Sequence, residues 1–171
     1  MHQNRVKRAL AEGRLQLGTS FAQIPSPDVA RILAAAGFDW AFIDTEHVWF
    51  GIETVKEVCY ASVRAGLCPI VRVVNMDYGL VARALDCGAQ GVMFPRVESA
   101  ELLERAVSWT KFPPVGIRGC GLNIAHIDFA KASIAEVVEH ANANTMVVLR
   151  SRRSAPSRRV TSCCRSVASM L

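Results

Sequence analysis

Apolar and polar positions along this chain follow two alternating rhythms. Short apolar runs occur at "RLQLGTSF" (14–21), "DWAFID" (39–44), "CPIVRVV" (68–74), "GVMFPRV" (91–97) and "TMVVL" (145–149). Each lacks a strict polar alternation, as expected of strands covered on both faces. Between them lie stretches with apolar residues at helical spacing. In "GIETVKEVCYASVRAG", Ile52, Val55, Val58, Cys59 and Ser62 share one face and Gly66 is the stop. The same reading predicts helices over 26–37, 77–88, 99–110 and 133–143. Ser26 and Ser99 are candidate caps, Pro27 suits a first turn, and Gly37 and Gly88 are stops. Pro95 breaks the fourth strand, and the Pro- and Gly-rich segment 111–123 reads as a loop.

Strand and helix thus repeat with no hairpin signal, which predicts a parallel α/β sheet. Two architectures fit, an open doubly wound sheet and a (β/α)8 TIM barrel. No G-x-G-x-x-G fingerprint follows the first strand, so the barrel fits better. A barrel of this kind typically takes roughly 200 residues or more, and the chain has 171. The expectation is therefore an incomplete barrel, about five of its eight strand–helix units, over residues 1–149, followed by an irregular tail over 150–171.

Charge separates those two segments. The net charge is +5, yet residues 150–171 hold six arginines and no acidic residue. The first 149 residues carry 14 basic and 15 acidic groups, a net of −1. A neutral body removes most of the compositional case for nucleic acid. None of the six cysteines sits in a C-x-x-C pair, and Cys163–Cys164 is a poor disulfide or metal pair, so free thiols are expected. No apolar run approaches the ~18 residues that cross a bilayer, and "MHQNRVKRALAEGRLQLG" has no apolar core of a secretion signal. The expected location is cytoplasmic, without membrane contact.

In parallel α/β folds, chemistry gathers where strands end. The second strand ends in "IDTEHVWF", giving Asp44, Glu46 and His47. A carboxylate near a histidine can orient the imidazole and raise its basicity, so His47 is a candidate general base with Asp44 as its partner. Arg72 lies inside an otherwise apolar strand, where a charge needs a counterion or a ligand. As a ligand site it would clamp a carboxylate side-on. Arg118 stands between glycines in "GIRGCG", which fits either a close backbone approach to a ligand or a simple turn. His126 and His140 are expected at the surface.

"FDWAFIDTEH", "CPIVRV", "ALDCGAQGVMFPRVESAE" and "FPPVGIRG" together resemble the HpcH/HpaI aldolase / citrate lyase β-subunit family, in order from about Leu15 to Leu149. The resemblance implies a metal-dependent aldolase on a TIM barrel. Such an enzyme makes or breaks a carbon–carbon bond beside a pyruvate-type enolate. The expected substrates are a 2-oxo acid and an aldehyde, and a homo-oligomer is implied. His47 matches the general base, Asp44 its orienting partner, and Arg72 the arginine that binds the 2-oxo acid. Asp86 matches an acidic residue that reaches a neighbouring subunit's site, and Arg118 lies in the family signature without an assigned role. The implied cofactor is Mg²⁺ or Mn²⁺, held by a Glu that ends the fifth strand in a "Q-I-E" motif and by a later Asp.

The sequence departs from the family at that motif. "VLRSR" stands where "VLQIE" is expected, so the metal-binding Glu position is Arg152, and the second carboxylate would fall beyond Leu171. No complete metal site is expected. A shifted reading frame accounts for the tail. One base back, and with permissible codon choices, residues 150–171 reread as "QIEEVGAVEEGNVLLQVGGVDA", restoring both the "QIE" and a "GVD". The alternative reading is a non-catalytic α/β protein whose Arg-rich tail binds nucleic acid or anionic surfaces through phosphate contacts.

Overall fold

The computed structural model describes residues 1–150 apart from 98, 122 and 123. The chain runs α1 (Arg5–Ala11), β1 (Gly18–Phe21), α2 (Asp28–Ala35), β2 (Trp40–Asp44), α3 (Ile52–Ala65), β3 (Cys68–Arg72), α4 (Tyr78–Asp86), β4 (Gly91–Phe94), α5 (Ala100–Ser108), α6 (Ile124–Ile127), α7 (Ile134–Asn144) and β5 (Met146–Leu149). The five strands form one parallel sheet in the order β1-β2-β3-β4-β5. Sequential order with helices between successive strands is the arrangement of consecutive barrel units. The tail expected over residues 150–171 lies, beyond Arg150, outside the described residues.

One sheet face packs against helices. Phe21, Ile43, Val71, Val73, Val92 and Phe94 meet Val55, Val58 and Cys59 of α3 and Val81, Ala84 and Leu85 of α4 in one buried cluster. The α3 residues are those that sequence spacing placed on one face, and each fully buried valine is worth about 1.5–3 kcal/mol. Gly66 ends α3 in the left-handed conformation (φ 82°), where a side chain would strain the turn. Ser99 caps α5 as expected, and Ser133 forms a full capping box with Glu136 on α7.

The opposite face carries Trp40, Phe42 and Asp44, then Cys68, Ile70 and Arg72, then Met93, then Met146 and Val148, and a closed barrel turns this face inward. Its amino-terminal end is covered by α1, which the sequence reading did not identify. Val6 packs on Cys68 and Ile70. Asn4 caps α1 by accepting from the Lys7 backbone N–H (2.9 Å), while its amide donates to Gln90 O and Asn144 O, both at 3.0 Å. β1 is also shorter than its apolar run, because residues 14–17 are loop.

The carboxyl end of α7 is held by side chains from elsewhere. Lys7 Nζ donates to Ala143 O, and Lys111 Nζ donates to Asn142 O and Thr145 O. With Asn4 on Asn144 O, four carbonyls that a helix end leaves without partners are satisfied, two of them by a buried cation. Gly116 fits the "PPVGIRG" loop against the end of α5, since a Cβ there would lie 2.3 Å from Ser108 O and 2.4 Å from Lys111 O.

Burial, with a contribution from the charge of Lys7, pushes the Lys111 ammonium down to about 8 from 10.5. The folded chain then holds that proton less tightly than the unfolded chain, so this group adds stability as pH rises from about 8 toward 10.5. Lys111→Met is expected to abolish that rise. At neutral pH it should cost about 2 kcal/mol by stranding one buried and one half-buried carbonyl. Urea denaturation of both proteins across this pH range measures each effect.

Candidate active site

The sheet register sets the site. Asp44, last in β2, is the parallel partner of Arg72, last in β3. Both side chains leave the inward face at the carboxyl edge and meet there. Arg72 Nε donates to Asp44 Oδ1 (3.0 Å) and Nη2 to Oδ2 (2.6 Å), a side-on pair that is almost wholly buried. The guanidinium also lies over the Phe42 ring, 4.8 Å from its centre.

Asp44 organises the loop after β2 as well. Its Oδ1 accepts from the backbone N–H of Glu46 (2.9 Å) and of His47 (3.3 Å), while Thr45 Oγ1 donates to Arg72 O (2.6 Å). This turn brings the Glu46 carboxylate onto Arg72, with Oε2 3.3 Å from Nε. The same Oε2 is 3.5 Å from His47 Nε2, and Oε1 is 3.4 Å from Arg96 Nη2. Glu46 is therefore the hub of the cluster, touching two arginines and the imidazole. Burial raises the Asp44 carboxyl, but the Arg72 hydrogen bond, the two backbone N–H donors and the Arg72 charge outweigh it and hold the group below the usual carboxylate range.

The side-chain partners differ from the expected ones. Asp44, expected to orient the His47 ring, binds Arg72 and the His47 backbone, and the carboxylate beside the ring is Glu46. Arg72, expected as a clamp for a ligand, has Nε and Nη2 already on protein carboxylates. Arg96, which the sequence reading did not select, joins the cluster. It follows Pro95 at the end of β4 with a left-handed backbone (φ 50°), a sparsely populated conformation for arginine and a usable signal only once coordinates exist.

Asp86 and Arg118 lie elsewhere. Asp86 ends α4 at the amino edge of the sheet, and Arg118 Nη2 donates to it (2.7 Å) while stacking 4.5 Å over Phe112. Within one chain the signature arginine is thus tied to the "ALDCG" aspartate, away from His47. His126, expected at the surface, has both ring nitrogens buried and, among the described residues, without a hydrogen-bond partner, and burial followed by the Arg118 charge pushes the imidazole down. Cys59 and Cys68 are buried free thiols, whereas Cys120 is exposed. Among the described residues no helix is long and apolar enough to cross a membrane.

The arrangement sets two arginines against two carboxylates, with an exposed imidazole beside one of them, all at the carboxyl edge of a parallel sheet. The sequence profile described as HpcH/HpaI aldolase/citrate lyase matches residues 19–153. A hydroxypyruvate/pyruvate aldolase of Paraburkholderia phytofirmans is 40% identical over 122 residues, 71% of this chain and 45% of that protein. A 4-hydroxy-4-methyl-2-oxoglutarate aldolase of Chaetomium globosum is 33% identical over 147 residues, 85% of this chain and 55% of that protein. The crystal structure of an HpcH/HpaI aldolase from Desulfitobacterium hafniense superposes with a TM-score of 0.80 at 33% identity, covering 84% of this chain and 55% of that one. The chain spans about half the length of these relatives.

Breaking the buried pair is expected to be costly. Asp44→Asn leaves the Arg72 charge in a nearly closed site, an expected loss of about 3 kcal/mol in urea unfolding. Because the folded Asp44 carboxyl lies below its ordinary value, its stabilisation is complete above about pH 4 and is lost as pH falls through the folded value. The variant should lack that segment of the acid-unfolding curve.

Proposed function

The chain belongs to the HpcH/HpaI aldolase/citrate lyase family, and from that premise we propose that it derives from a carbon–carbon lyase that cleaves or forms a 4-hydroxy-2-oxo acid through a pyruvate-type enolate. The observation that carries this reading is the Arg72–Glu46–His47 cluster at the ends of neighbouring strands. Arg72 is fixed by Asp44 through Nε and Nη2, and its Nη1, which makes no hydrogen bond among the described residues, is offered to the carboxylate or enolate oxygen of a 2-oxo acid. His47, 59% exposed at its side chain, is placed to take or return a proton, with Glu46 steadying the imidazolium that results. The second substrate would be an aldehyde, and the working unit a homo-oligomer.

Family resemblance implies a divalent metal, Mg²⁺ or Mn²⁺, which would supply Lewis-acid stabilisation of the enolate. The described residues do not fit it. Among them no group of three or more His, Cys, Asp or Glu could hold a metal, and Asp44 and Glu46 already face arginines. Arg152, at the expected Glu position, lies outside the described residues. Its charge is of the wrong sign for a hard cation. We therefore infer that residues 150–171 come from a shifted frame, and that the chain with Arg152 has little or no aldolase activity.

Two measurements test these proposals. Calorimetric titration of the 171-residue chain with Mg²⁺ or Mn²⁺ should show no tight binding. Tight binding, or brisk turnover by monodisperse protein, would overturn the inactivity. A gene with one base added after the Leu149 codon should encode a protein that exchanges the methyl protons of pyruvate with D2O. In that protein His47→Ala should slow exchange by about 10²–10⁴-fold, and Arg72→Ala should raise the KM for pyruvate. Unchanged kinetics in either variant would remove that residue from the mechanism.

A further inference from the structure

We propose that Arg96 is a specificity-determining residue that binds a second carboxylate, so that the site favours dicarboxylic 2-oxo acids over those with an uncharged tail. The inference rests on the proposed binding of a 2-oxo acid at Arg72.

Three observations carry it. First, Arg96 holds an unspent set of donors. Its contact to Glu46 is an ion pair at 3.4 Å, and among the described residues its guanidinium makes no hydrogen bond. Its side chain is 59% exposed, against 5% for Arg72, so a ligand can reach it without displacing a buried pair. Second, both guanidinium groups face the same carboxylate. Glu46 Oε2 lies 3.3 Å from Arg72 Nε, and Oε1 lies 3.4 Å from Arg96 Nη2. A short dianion bound at Arg72 therefore meets Arg96 within the width of a carboxylate side chain. Third, a groove opens beside Arg96, lined by Val74, Asn75, Met76, Pro95 and Leu102. Its walls are about equally polar and apolar, which suits a short carbon chain with a polar end, and Arg96 is the cation on its rim.

Asp44 and Glu46 balance the charges of Arg72 and Arg96, so a second anion would be held by the hydrogen-bond donors of Arg96 rather than by net charge. The left-handed backbone at Arg96 brings its head back onto the cluster. An anionic tail that makes the hydrogen bonds Glu46 does not make with Arg96 gains their charge-assisted strength. An uncharged tail in the same groove gains only apolar contact.

The test compares 2-oxoglutarate with 2-oxovalerate, which share a carbon skeleton and differ in the terminal carboxylate. Calorimetry on the full chain should show 2-oxoglutarate binding more tightly. In Arg96→Gln the ratio of the two affinities should fall by about five- to tenfold, and Arg96→Lys should restore part of it. If Arg96 merely positions Glu46, Arg96→Gln weakens both ligands alike and the unchanged ratio overturns the proposal. A wild-type chain that binds 2-oxovalerate as well as 2-oxoglutarate overturns it too, while leaving the 2-oxo acid site standing. Binding of neither ligand overturns both readings. Circular dichroism of each variant shows whether a lost signal reflects a lost fold.

Discussion

A single guanidinium buried in an apolar strand constrains everything at the carboxyl edge of this sheet. Arg72 is 4% exposed, and a charge at that depth persists only when it is paired and hydrogen-bonded. The parallel register answers by setting Asp44 beside it. The same carboxylate then gathers the next two backbone N–H groups and shapes the turn that presents Glu46 and His47. Strand pairing, loop shape and the position of the imidazole are consequences of neutralising one arginine. The ion pair contributes less to net stability than to uniqueness, because an apolar replacement could pack as well while specifying no loop.

The amino edge answers a different demand with similar means. There the carboxyl end of α7 leaves carbonyls that water would otherwise satisfy. Lys7, Lys111 and Asn4 supply donors from segments far apart in sequence. The pairing of Arg118 with Asp86 belongs to this edge too, and it gives the "GIRG" signature a structural role within the chain.

What could be read from the sequence was what repeats locally. Apolar runs and helical spacing located the five strands and the longer helices after them, and Gly66 and Ser99 marked ends because their reasons lie within a turn of chain. The charge inside "CPIVRVV" was legible as a demand for a partner, but not which partner. Proximity in sequence favoured Asp44 with His47, whereas the register across β2 and β3 joined Asp44 to Arg72. Helix α1 went unread because its burial comes from contacts with β3 and α7 rather than from a strong apolar stripe. Arg96 was legible as a polar residue at the end of the fourth strand but not as a partner of Glu46, and the buried ring of His126 was missed, since neither backbone strain nor distant packing leaves a periodic trace.

The fastening of α1 to α7 has a temporal meaning. Asn4 and Lys7 find their partners at Asn144 and Ala143, some 140 and 136 residues later. During synthesis α1 emerges long before the α7 carbonyls it must meet. Residues 1–11 can pack on β3 through Val6 once that strand exists, but their hydrogen bonds to Asn144 and Ala143 form only when α7 has been made. The fastening of α1 to α7 is therefore a non-local contact of the kind that forms slowly, late in assembly.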